Sequence, residues 1–301
     1  MLLGLRRWLE VGKVFIIDVS KCNGCYDCQL ACKDEHVDND WSPYAKPQPD
    51  TGHFWLKIYE FERGTIPKVK VTYIPRICMH CDNPPCMAAC PVGAIVKRTD
   101  GIVLIDPEKC NGCKKCISAC PYEAIYFNDQ LNIAQKCTGC AHLIDGRDPL
   151  INIPRCVDVC PFDAIKIGEE EELKDLIEKA ETLNPEFEKK RPFAISKSEN
   201  VYKPRVYYLN LPRPFIAGAV YDPDVDECIE GAKVIAEDEE TKATYTTVTD
   251  EFGDFWLKDL EWNRSYTIRI EKEGYEAWVL SGIRTDKDVN LGDIALIRKT
   301  K

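Results

Sequence analysis

Residues 110–121 of the chain, CNGCKKCISACP, place four cysteines at spacings of two, two and three residues and follow the last with proline. Related runs recur three times in the first half of the sequence, and the internal repeat decides how that half is interpreted. In chain order the other runs are Cys22-x2-Cys25-x2-Cys28-x3-Cys32, Cys78-x2-Cys81-x4-Cys86-x3-Cys90 and Cys137-x2-Cys140-x15-Cys156-x3-Cys160. The 17th cysteine, Cys228, lies outside the runs and is interpreted as an ordinary loop or core thiol.

Thiolate sulfur is the usual protein ligand of iron–sulfur clusters, and the spacing Cys-x2-Cys-x2-Cys-x3-Cys-Pro is typical of bacterial ferredoxins. In those proteins three thiolates of a run bind one cube and the fourth binds the neighbouring cube. A structural zinc site would leave the third cysteine of each triplet without a role. Disulfides explain such regular spacing less well. We therefore interpret the runs as iron–sulfur ligands, with zinc and disulfides as the alternatives.

Short apolar segments flank the runs in a repeated order. Segments 14–17 and 102–105 precede the first and third runs, and an Ala-Ile pair follows the second, third and fourth. Because proline suits the first position of a helix, each stretch from Cys-Pro to Ala-Ile predicts a short helix that leads into a strand. Such hairpins and helices build an α+β layer around two clusters. Lys33 departs from the pattern, since it stands where proline would follow Cys32.

Charge and composition divide the chain into three segments. Residues 1–168 carry 20 basic and 20 acidic residues, whereas residues 169–301 carry 20 and 30 and account for the net charge of -10. Neither segment offers a basic surface for nucleic acid. We expect a cysteine domain over 1–168, a further domain over 212–301, and between them an acidic helix start at 169–177 followed by an extended arm. The arm is either a linker or a strap over a partner, with 206–209 as its adhesive end.

From residue 212 onward the pattern changes to short segments rich in Val, Ile, Thr and aromatic residues, which predict a small antiparallel β-sandwich. The expected strands are Phe215–Tyr221, Ala232–Glu237, Ala243–Thr249, Phe252–Leu257, Tyr266–Glu271, Ala277–Leu280 and Val289–Ile297. The segments 231–234 and 249–255 resemble the transthyretin-like, or carboxypeptidase regulatory-like, sandwich.

In order and spacing, the cysteine runs resemble the four-cluster iron–sulfur subunits of the DMSO reductase superfamily of molybdenum and tungsten enzymes, over residues 12–168. The x4 gap with Pro84-Pro85 and the x15 gap before Cys156 carry this resemblance. With the arm segment 203–208 and the terminal sandwich, the chain is also similar to small subunits of the transhydroxylase group. The resemblance implies two interleaved ferredoxin-like modules, one from the first and fourth runs and one from the second and third.

The same resemblance implies which cysteines share a [4Fe–4S] cluster, in four groups that we call sets A to D. Set A is Cys22, Cys25, Cys28 and Cys160; set B is Cys32, Cys137, Cys140 and Cys156; set C is Cys78, Cys81, Cys86 and Cys120; set D is Cys90, Cys110, Cys113 and Cys116.

Several further residues stand beside the runs without being expected ligands. Lys21, Lys109 and Lys136 each precede the first cysteine of a run. A cation there would favour the reduced cluster, although such a lysine can equally be a solvated loop residue. We interpret His80 and His142 as neighbours of a cluster or surface residues rather than ligands, because the cysteines already complete each set.

The sequence contains no Ser-His-Asp arrangement, P-loop or dinucleotide fingerprint, so no catalytic residue is expected. The resemblance implies an electron-transfer subunit with four [4Fe–4S] clusters, serving a large oxidoreductase subunit that holds a molybdenum or tungsten bis-pterin. On the same resemblance, hydroxylation or hydroxyl transfer on a phenolic compound is the favoured reaction, and conversion of arsenate, a sulfur compound or formate is left open. The alternatives are a stand-alone polyferredoxin and a structural subunit with non-conducting clusters.

Location is the last expectation. No apolar run approaches the ~18 residues needed to span a bilayer. The twin arginines Arg6-Arg7 lack the apolar segment of a signal peptide. We expect no membrane span and a cytoplasmic location.

Overall fold

The structure is a computed structural model that describes residues 12–183 and 201–299. The chain divides into two compact units, which we call the cysteine unit (Met1–Glu60 with Tyr73–Leu211) and the sandwich unit (Phe61–Thr72 with Pro212–Lys301). The twin arginines and most of the expected arm, residues 184–200, lie outside the described residues.

The cysteine unit contains a three-stranded sheet centred on β1 (Lys13–Asp18). This strand pairs antiparallel with β8 (Ile165–Glu169) and parallel with β9 (Val206–Leu209). Its four apolar residues 14–17 are all at most 2% exposed, as expected for a central strand that is covered on both faces. Since Ile17 lies opposite Ile165, the end of β1 and the start of β8 bring the first and fourth cysteine runs together.

Short hairpins and helices make up the rest of this unit. The hairpins are β4 (Ile95–Lys97) with β5 (Val103–Ile105) and β6 (Tyr126–Asn128) with β7 (Ile133–Gln135). A further hairpin, β2 (Lys57–Thr65) with β3 (Lys68–Arg76), has its central part, Phe61–Thr72, in the sandwich unit. The helices are α1 (Asp27–Val37), α2 (Pro85–Ala88), α3 (Lys115–Ala119), α4 (Ala141–Ile144), α5 (Arg155–Asp158) and α6 (Lys174–Ile177), with a 3-10 turn at Val19–Lys21. Across the described ranges 12–183 and 201–299, none of the helices has the length and apolar character needed to cross a membrane.

The prediction of a helix after each Cys-Pro pair is wrong, because the helix comes before it. Helices α2, α3 and α5 end just before Cys90, Cys120 and Cys160, and a turn follows each of these cysteines. Proline lacks the N–H that would continue the helix, so it follows the end instead of opening a new one. Helix α1 has no proline after its last cysteine and continues through Lys33 to Val37. The strands predicted after the Ala-Ile pairs are confirmed.

The segment after the fourth run also differs from expectation. Strand β8 continues to Glu169, whose carboxylate accepts a hydrogen bond from Lys13 Nζ at 2.6 Å. The acidic helix is therefore a single turn that begins at Lys174. The end of the arm, residues 206–209, is strand β9 of the unit's own sheet rather than a free adhesive end. Tyr208 on β9 is fully buried and donates a hydrogen bond to the Pro75 carbonyl at 3.0 Å.

The sandwich unit contains two four-stranded sheets. In one sheet β10 (Ile216–Asp222) pairs with β11 (Glu227–Cys228), β14 (Asp254–Leu257) and β17 (Val289–Ala295); the other has the order β13 (Thr244–Val248), β12 (Lys233–Asp238), β15 (Ser265–Glu271), β16 (Trp278–Arg284). Alternate residues of β12 and β15, such as Val234 and Ile268, are fully buried in a common core. All seven predicted strands are thus present.

The sandwich is not wholly antiparallel, which corrects the sequence-based expectation. Strand β17 runs parallel to β10, with Val220 opposite Ile294. The chain enters β17 from β16, which belongs to the other sheet. A tight hairpin forces two consecutive strands to run antiparallel. A connection that crosses from one sheet to the other does not impose this direction, so β17 can pair parallel with β10. Cys228 lies exposed on the short strand β11.

Candidate iron–sulfur sites

The cysteines of set A line one cavity. Its wall also contains the apolar residues Ile58, Pro75, Phe162, Ala164 and Ile165. Burial, and then the neighbouring thiols of Cys22, Cys160 and Cys25, raise the pKa of the Cys28 thiol to about 12. The first run contributes three of these thiols. Cys160 lies beside them because β8, which follows it in the chain, pairs with β1. The cavity therefore offers four sulfur donors in an apolar setting.

The cysteines of set B are all buried. Cys32 lies on α1, one turn beyond Cys28, while Cys156 lies on α5. Burial raises the pKa of Cys156 well above the usual thiol value, and the thiols of Cys140, Cys32 and Cys137 add to the increase. The same neighbours recur for Cys32, whose pKa is raised by burial and then by Cys140 and Cys137. The four thiols therefore share one buried environment.

Sets C and D come from the second and third runs. Burial raises the pKa of Cys81, and the thiols of Cys78, Cys120 and Cys86 act in the same direction. In set D, burial and then the thiols of Cys110, Cys113 and Cys90 raise the pKa of Cys116 to about 11. Within set D only Cys113 is exposed. In both sets, therefore, three thiols of one run meet the last cysteine of the other.

Neighbouring sets also interact with each other. The thiol of Cys28 in set A adds to the pKa increase of Cys156 in set B. The sulfur of Cys137 in set B accepts a backbone N–H from Cys78 in set C, whose thiol raises the Cys137 pKa next after burial, to about 11. Helix α3 holds Cys116 of set D and ends at Cys120 of set C. Neighbouring thiols therefore link set A with set B and set B with set C, and helix α3 carries cysteines of both sets C and D.

Backbone N–H groups point at several of these sulfurs. Ala94 and Ala164 donate to Cys90 Sγ and Cys160 Sγ, each at 3.3 Å. Gly139 donates to Cys137 Sγ at 3.4 Å. Hydrogen bonds of this kind favour the thiolate form and are among the factors that set cluster potentials.

Buried polar atoms without a hydrogen-bond partner lie beside the cysteine loops. In His80, Nδ1 accepts the N–H of Val103 at 3.1 Å, and Nε2 has no partner. Thr138 Oγ1, between two cysteines of the fourth run, also has none. Buried polar groups are normally satisfied, and a bound cluster brings sulfur acceptors to such positions. The sulfur donors, apolar wall and unsatisfied polar atoms together fit a [4Fe–4S] cluster.

The histidines near the runs behave as neighbours rather than free ligands. The Nε2 atom of His142 lies 2.9 Å from a carboxylate oxygen of Glu35, and its ring stacks on Trp41 at 4.3 Å. Sequence reasoning missed His36, whose Nε2 lies 3.9 Å from Cys140 Sγ. Burial and then the nearby His142 lower the pKa of His36 to about 3, so its ring is neutral at physiological pH. Its position four residues after Cys32 on a helix was the available signal.

Lys136 is the buried member of the three lysines that precede a run. It is 2% exposed, and its Nζ donates to the carbonyl oxygens of Cys137, at 3.0 Å, and Val103. Burial raises the pKa of Cys86 and of Cys120, and the charge of Lys136 acts in the opposite direction on both thiols. A cation therefore lies among the thiols of sets B and C.

All 17 cysteines are free thiols. Among the residues that the structure describes, no three His, Cys, Asp or Glu side chains come together closely enough to hold a single metal ion. In a cubane each cysteine binds a different iron, so its four sulfurs need not approach one another as the ligands of one ion do.

Comparison with protein families supports the iron–sulfur interpretation directly. Residues 21–94 and residues 69–170 each match a 4Fe-4S dicluster domain. Residues 216–296 match a carboxypeptidase regulatory-like domain. The matches confirm the ferredoxin-like domains, their iron–sulfur character and the C-terminal β-sandwich.

Comparison with individual proteins gives relatives that extend over different parts of the chain. A tetrathionate reductase subunit of Salmonella typhimurium is 34% identical, over 67% of this chain and 73% of its own length. The arsenate respiratory reductase iron-sulfur subunit of a Shewanella species is 45% identical, over 38% of this chain and 44% of its own. Among solved structures, the shaft pilin SpaA of Lactobacillus rhamnosus aligns at 13% identity with a TM-score of 0.25, over 32% of this chain and 49% of the pilin.

The pyrogallol hydroxytransferase small subunit of Pelobacter acidigallici is 38% identical over 285 residues, which are 93% of this chain and 98% of that protein. Such identity, along nearly the full length of both chains, places this chain in the family of iron–sulfur subunits that includes the small subunit of the hydroxytransferase.

Proposed function

We propose that this chain is an electron-transfer subunit that binds four [4Fe–4S] clusters, one in each of sets A to D, and serves a large catalytic subunit. The observation that supports the proposal is the cavity lined by all four cysteines of set A, together with the neighbouring thiols that raise the pKa of one cysteine in each of sets B to D. When bound, the clusters supply one-electron redox chemistry. The chain's own residues supply the ligands, the apolar insulation and the hydrogen bonds.

The contacts between sets support a linear order A–B–C–D. Helix α1 joins set A to set B, the N–H of Cys78 on the Cys137 sulfur joins set C to set B, and α3 joins set C to set D. Among the 16 cysteines of the four sets, the two exposed ones, Cys25 and Cys113, belong to the outer sets A and D. Sets A and B then form one ferredoxin-like module, and sets C and D form the other, interleaved with it along the chain.

The partner follows from the relatives. Their names describe a small subunit, a reductase subunit and an iron-sulfur subunit, each of a larger enzyme. Together with the superfamily resemblance, this supports a companion subunit that holds a molybdenum or tungsten bis-pterin. Hydroxylation or hydroxyl transfer on a phenolic compound is the proposed reaction, on the likeness to the hydroxytransferase. We further propose a cytoplasmic location, a transthyretin-like sandwich over 212–301, a cysteine domain over 1–168 and, between them, an acidic helix and arm over 169–211.

Metal analysis of the purified native complex tests the proposal. The complex is isolated without oxygen and analysed for iron, acid-labile sulfide, zinc, molybdenum and tungsten. Four cubes require about 16 irons and as many sulfides per copy of this chain. Iron near eight, or stoichiometric zinc, would contradict the four-cluster assignment.

Two further readouts separate the alternatives. A stand-alone polyferredoxin would purify without a molybdenum- or tungsten-containing companion. A structural subunit would hold clusters that its redox partners cannot reduce or oxidise, which a redox titration followed by EPR detects. We expect a stable companion subunit. We also expect clusters whose reduction potentials are close enough to that of the companion's cofactor for electrons to pass between them.

A further inference from the structure

The two ends of the proposed series are built from the same loop. Residues 21–28 read KCNGCYDC, and residues 109–116 read KCNGCKKC. Each loop turns at a left-handed glycine, with φ of 76° at Gly24 and 72° at Gly112. In each, the asparagine side chain accepts the N–H of the middle cysteine, at 3.2 Å in the first loop and 3.3 Å in the second. The next residue, Tyr26 or Lys114, is also left-handed and precedes helix α1 or α3.

The loops differ in charge at two positions. Tyr26-Asp27 in the first loop is replaced by Lys114-Lys115 in the second. The first loop therefore balances one lysine against one aspartate, whereas the second has three lysines and no acidic residue. All three lysines of the second loop are exposed.

Nearby carboxylates offset part of this positive charge. Lys109 Nζ lies 3.0 Å from Asp106, and Lys114 Nζ lies 3.6 Å from Asp129. The lysine side chains in these pairs are 61% and 56% exposed. Exposed pairs of this kind are weak, and water keeps such lysines available to another partner.

Exposed apolar residues adjoin the basic loop. Val92 is 42% exposed and its backbone N–H points at the Cys90 sulfur of set D. Met87, on helix α2 just before Cys90, is 39% exposed. A small apolar patch beside exposed cationic residues suits a brief redox encounter, in which charge guides the approach and little area is buried.

We propose that the surface formed by loop 109–116, Met87 and Val92, which we call the D end, is the docking site of an acidic, soluble one-electron carrier protein. This inference rests on the proposed function, because it requires a cluster in set D at the end of the series. In the step itself, one electron leaves the reduced carrier, which is thereby oxidised, and enters the set D cluster, which is reduced. No bond is formed or broken.

Stopped-flow kinetics on the full, cluster-loaded chain tests the D end. The probe is an acidic [2Fe–2S] ferredoxin, reduced beforehand and mixed with the chain without oxygen at low and high ionic strength. Electrostatic steering raises association rates by 10 to 10³. We expect the rate to fall as salt rises, and Lys114→Gln with Lys115→Gln to slow it roughly 10-fold at low salt. Oxidised cytochrome c, a cationic carrier that accepts one electron from the reduced chain, should show the opposite response to these substitutions.

The matched control is Lys166→Gln with Lys242→Gln, which removes the same charge at two exposed positions elsewhere. We expect it to change the rate by less than about twofold. Equal slowing by both double variants, or no slowing by the first, would overturn the docking proposal.

A second copy of this chain is the other occupant to test, because its acidic residues 169–301 could bind to the D end. A salt-sensitive dimer that the Lys114 and Lys115 substitutions abolish in sedimentation would therefore overturn the carrier assignment.

Cluster content separates this proposal from the proposed function. Iron, sulfide and EPR signals are measured for every variant before kinetics. A wild-type chain without a cluster in set D would overturn both proposals. A fully loaded chain whose reduction ignores Lys114 and Lys115 would overturn the docking site alone.

Discussion

The imidazole Nε2 of His36 lies 3.9 Å from the sulfur of Cys140, and both residues are buried. The ring of His36 is held in place by Trp55 and His142, whose ring centroids are 4.6 Å and 5.3 Å away. The other ring nitrogen, Nδ1, has no partner. A neutral imidazole has one N–H, and the nitrogen with an available acceptor is the one that benefits from carrying it. With a cluster bound to set B, His36 is therefore positioned to donate toward the sulfur of Cys140.

Replacing His36 should lower the reduction potential of the set B cluster. A hydrogen bond to sulfur stabilises the more negative, reduced state, and its loss at about 1 kcal/mol corresponds to about 40 mV for one electron. We expect this decrease for His36→Phe and a smaller one for His36→Gln, which keeps an N–H donor. Redox titration followed by EPR measures it. The control is His53→Phe, which also removes an imidazole. The ring of His53 stacks on Tyr126, with 5.4 Å between the ring centroids. An unchanged potential in His36→Phe would show that the contact has no electronic role.

The charge of Lys136 should matter more than the His36 contact, because a full cation is involved. With an effective dielectric constant of about 20, a unit charge about 8 Å away contributes about 2 kcal/mol, or about 90 mV for one electron. We expect Lys136→Gln to lower the potentials of the clusters in sets B and C by tens of millivolts. The control Lys166→Gln removes an exposed charge, which solvent screens. Equal shifts in the two variants would contradict a local effect of Lys136.

Spacing alone was enough to predict the iron–sulfur character of the cysteine runs and the seven strands of the sandwich. Both are local signals, since a cysteine triplet folds over its own cube and alternation marks each strand separately. The side of the Cys-Pro pair on which the helix lies was not predictable in this way. Proline suits both the start of a helix and the position after its end, and tertiary contacts of the preceding cysteine decide between them.

Other features depend on residues far apart in the sequence. Val220 pairs parallel with Ile294, and Tyr208 adds a strand to the sheet of β1. The sequence pattern of each segment predicts a strand but not the strand with which it pairs. Likewise, His36 has one local signal, its spacing of four residues from Cys32, and that spacing alone does not distinguish it from a surface histidine. Its role emerges only when α1 meets the loop that carries Cys140.

A buried ion pair should dominate the electrostatic contribution to stability in the sandwich unit. Arg63 donates to both carboxylate oxygens of Asp288, at 2.9 Å and 2.7 Å, and the side chains are 7% and 6% exposed. Removing one partner leaves a buried charge, so we expect Asp288→Asn to lower the free energy of unfolding by about 3–5 kcal/mol. Urea titration followed by tryptophan fluorescence measures this. Glu237→Gln breaks the exposed pair with Lys242 and should change stability by less than about 1 kcal/mol. Comparable losses in the two variants would rule out the buried pair as the dominant one.

The two cysteines of α1 offer the sharpest test of the proposed cluster assignments. Cys28 and Cys32 are one helical turn apart, yet their thiols interact with different partners. After burial, the largest effects on the pKa of Cys28 come from Cys22 and Cys160, and those on Cys32 come from Cys140 and Cys137.

We therefore expect Cys32→Ser to abolish or alter the EPR signal of the set B cluster and to leave that of set A intact. Cys28→Ser should do the reverse. Because both substitutions are made in the same helix, a general loss of folding would affect both clusters in both variants and is recognised by iron content. Loss of the set A signal alone in Cys32→Ser would refute the crossed assignment, since it would mean that all four cysteines of the first run bind one cube.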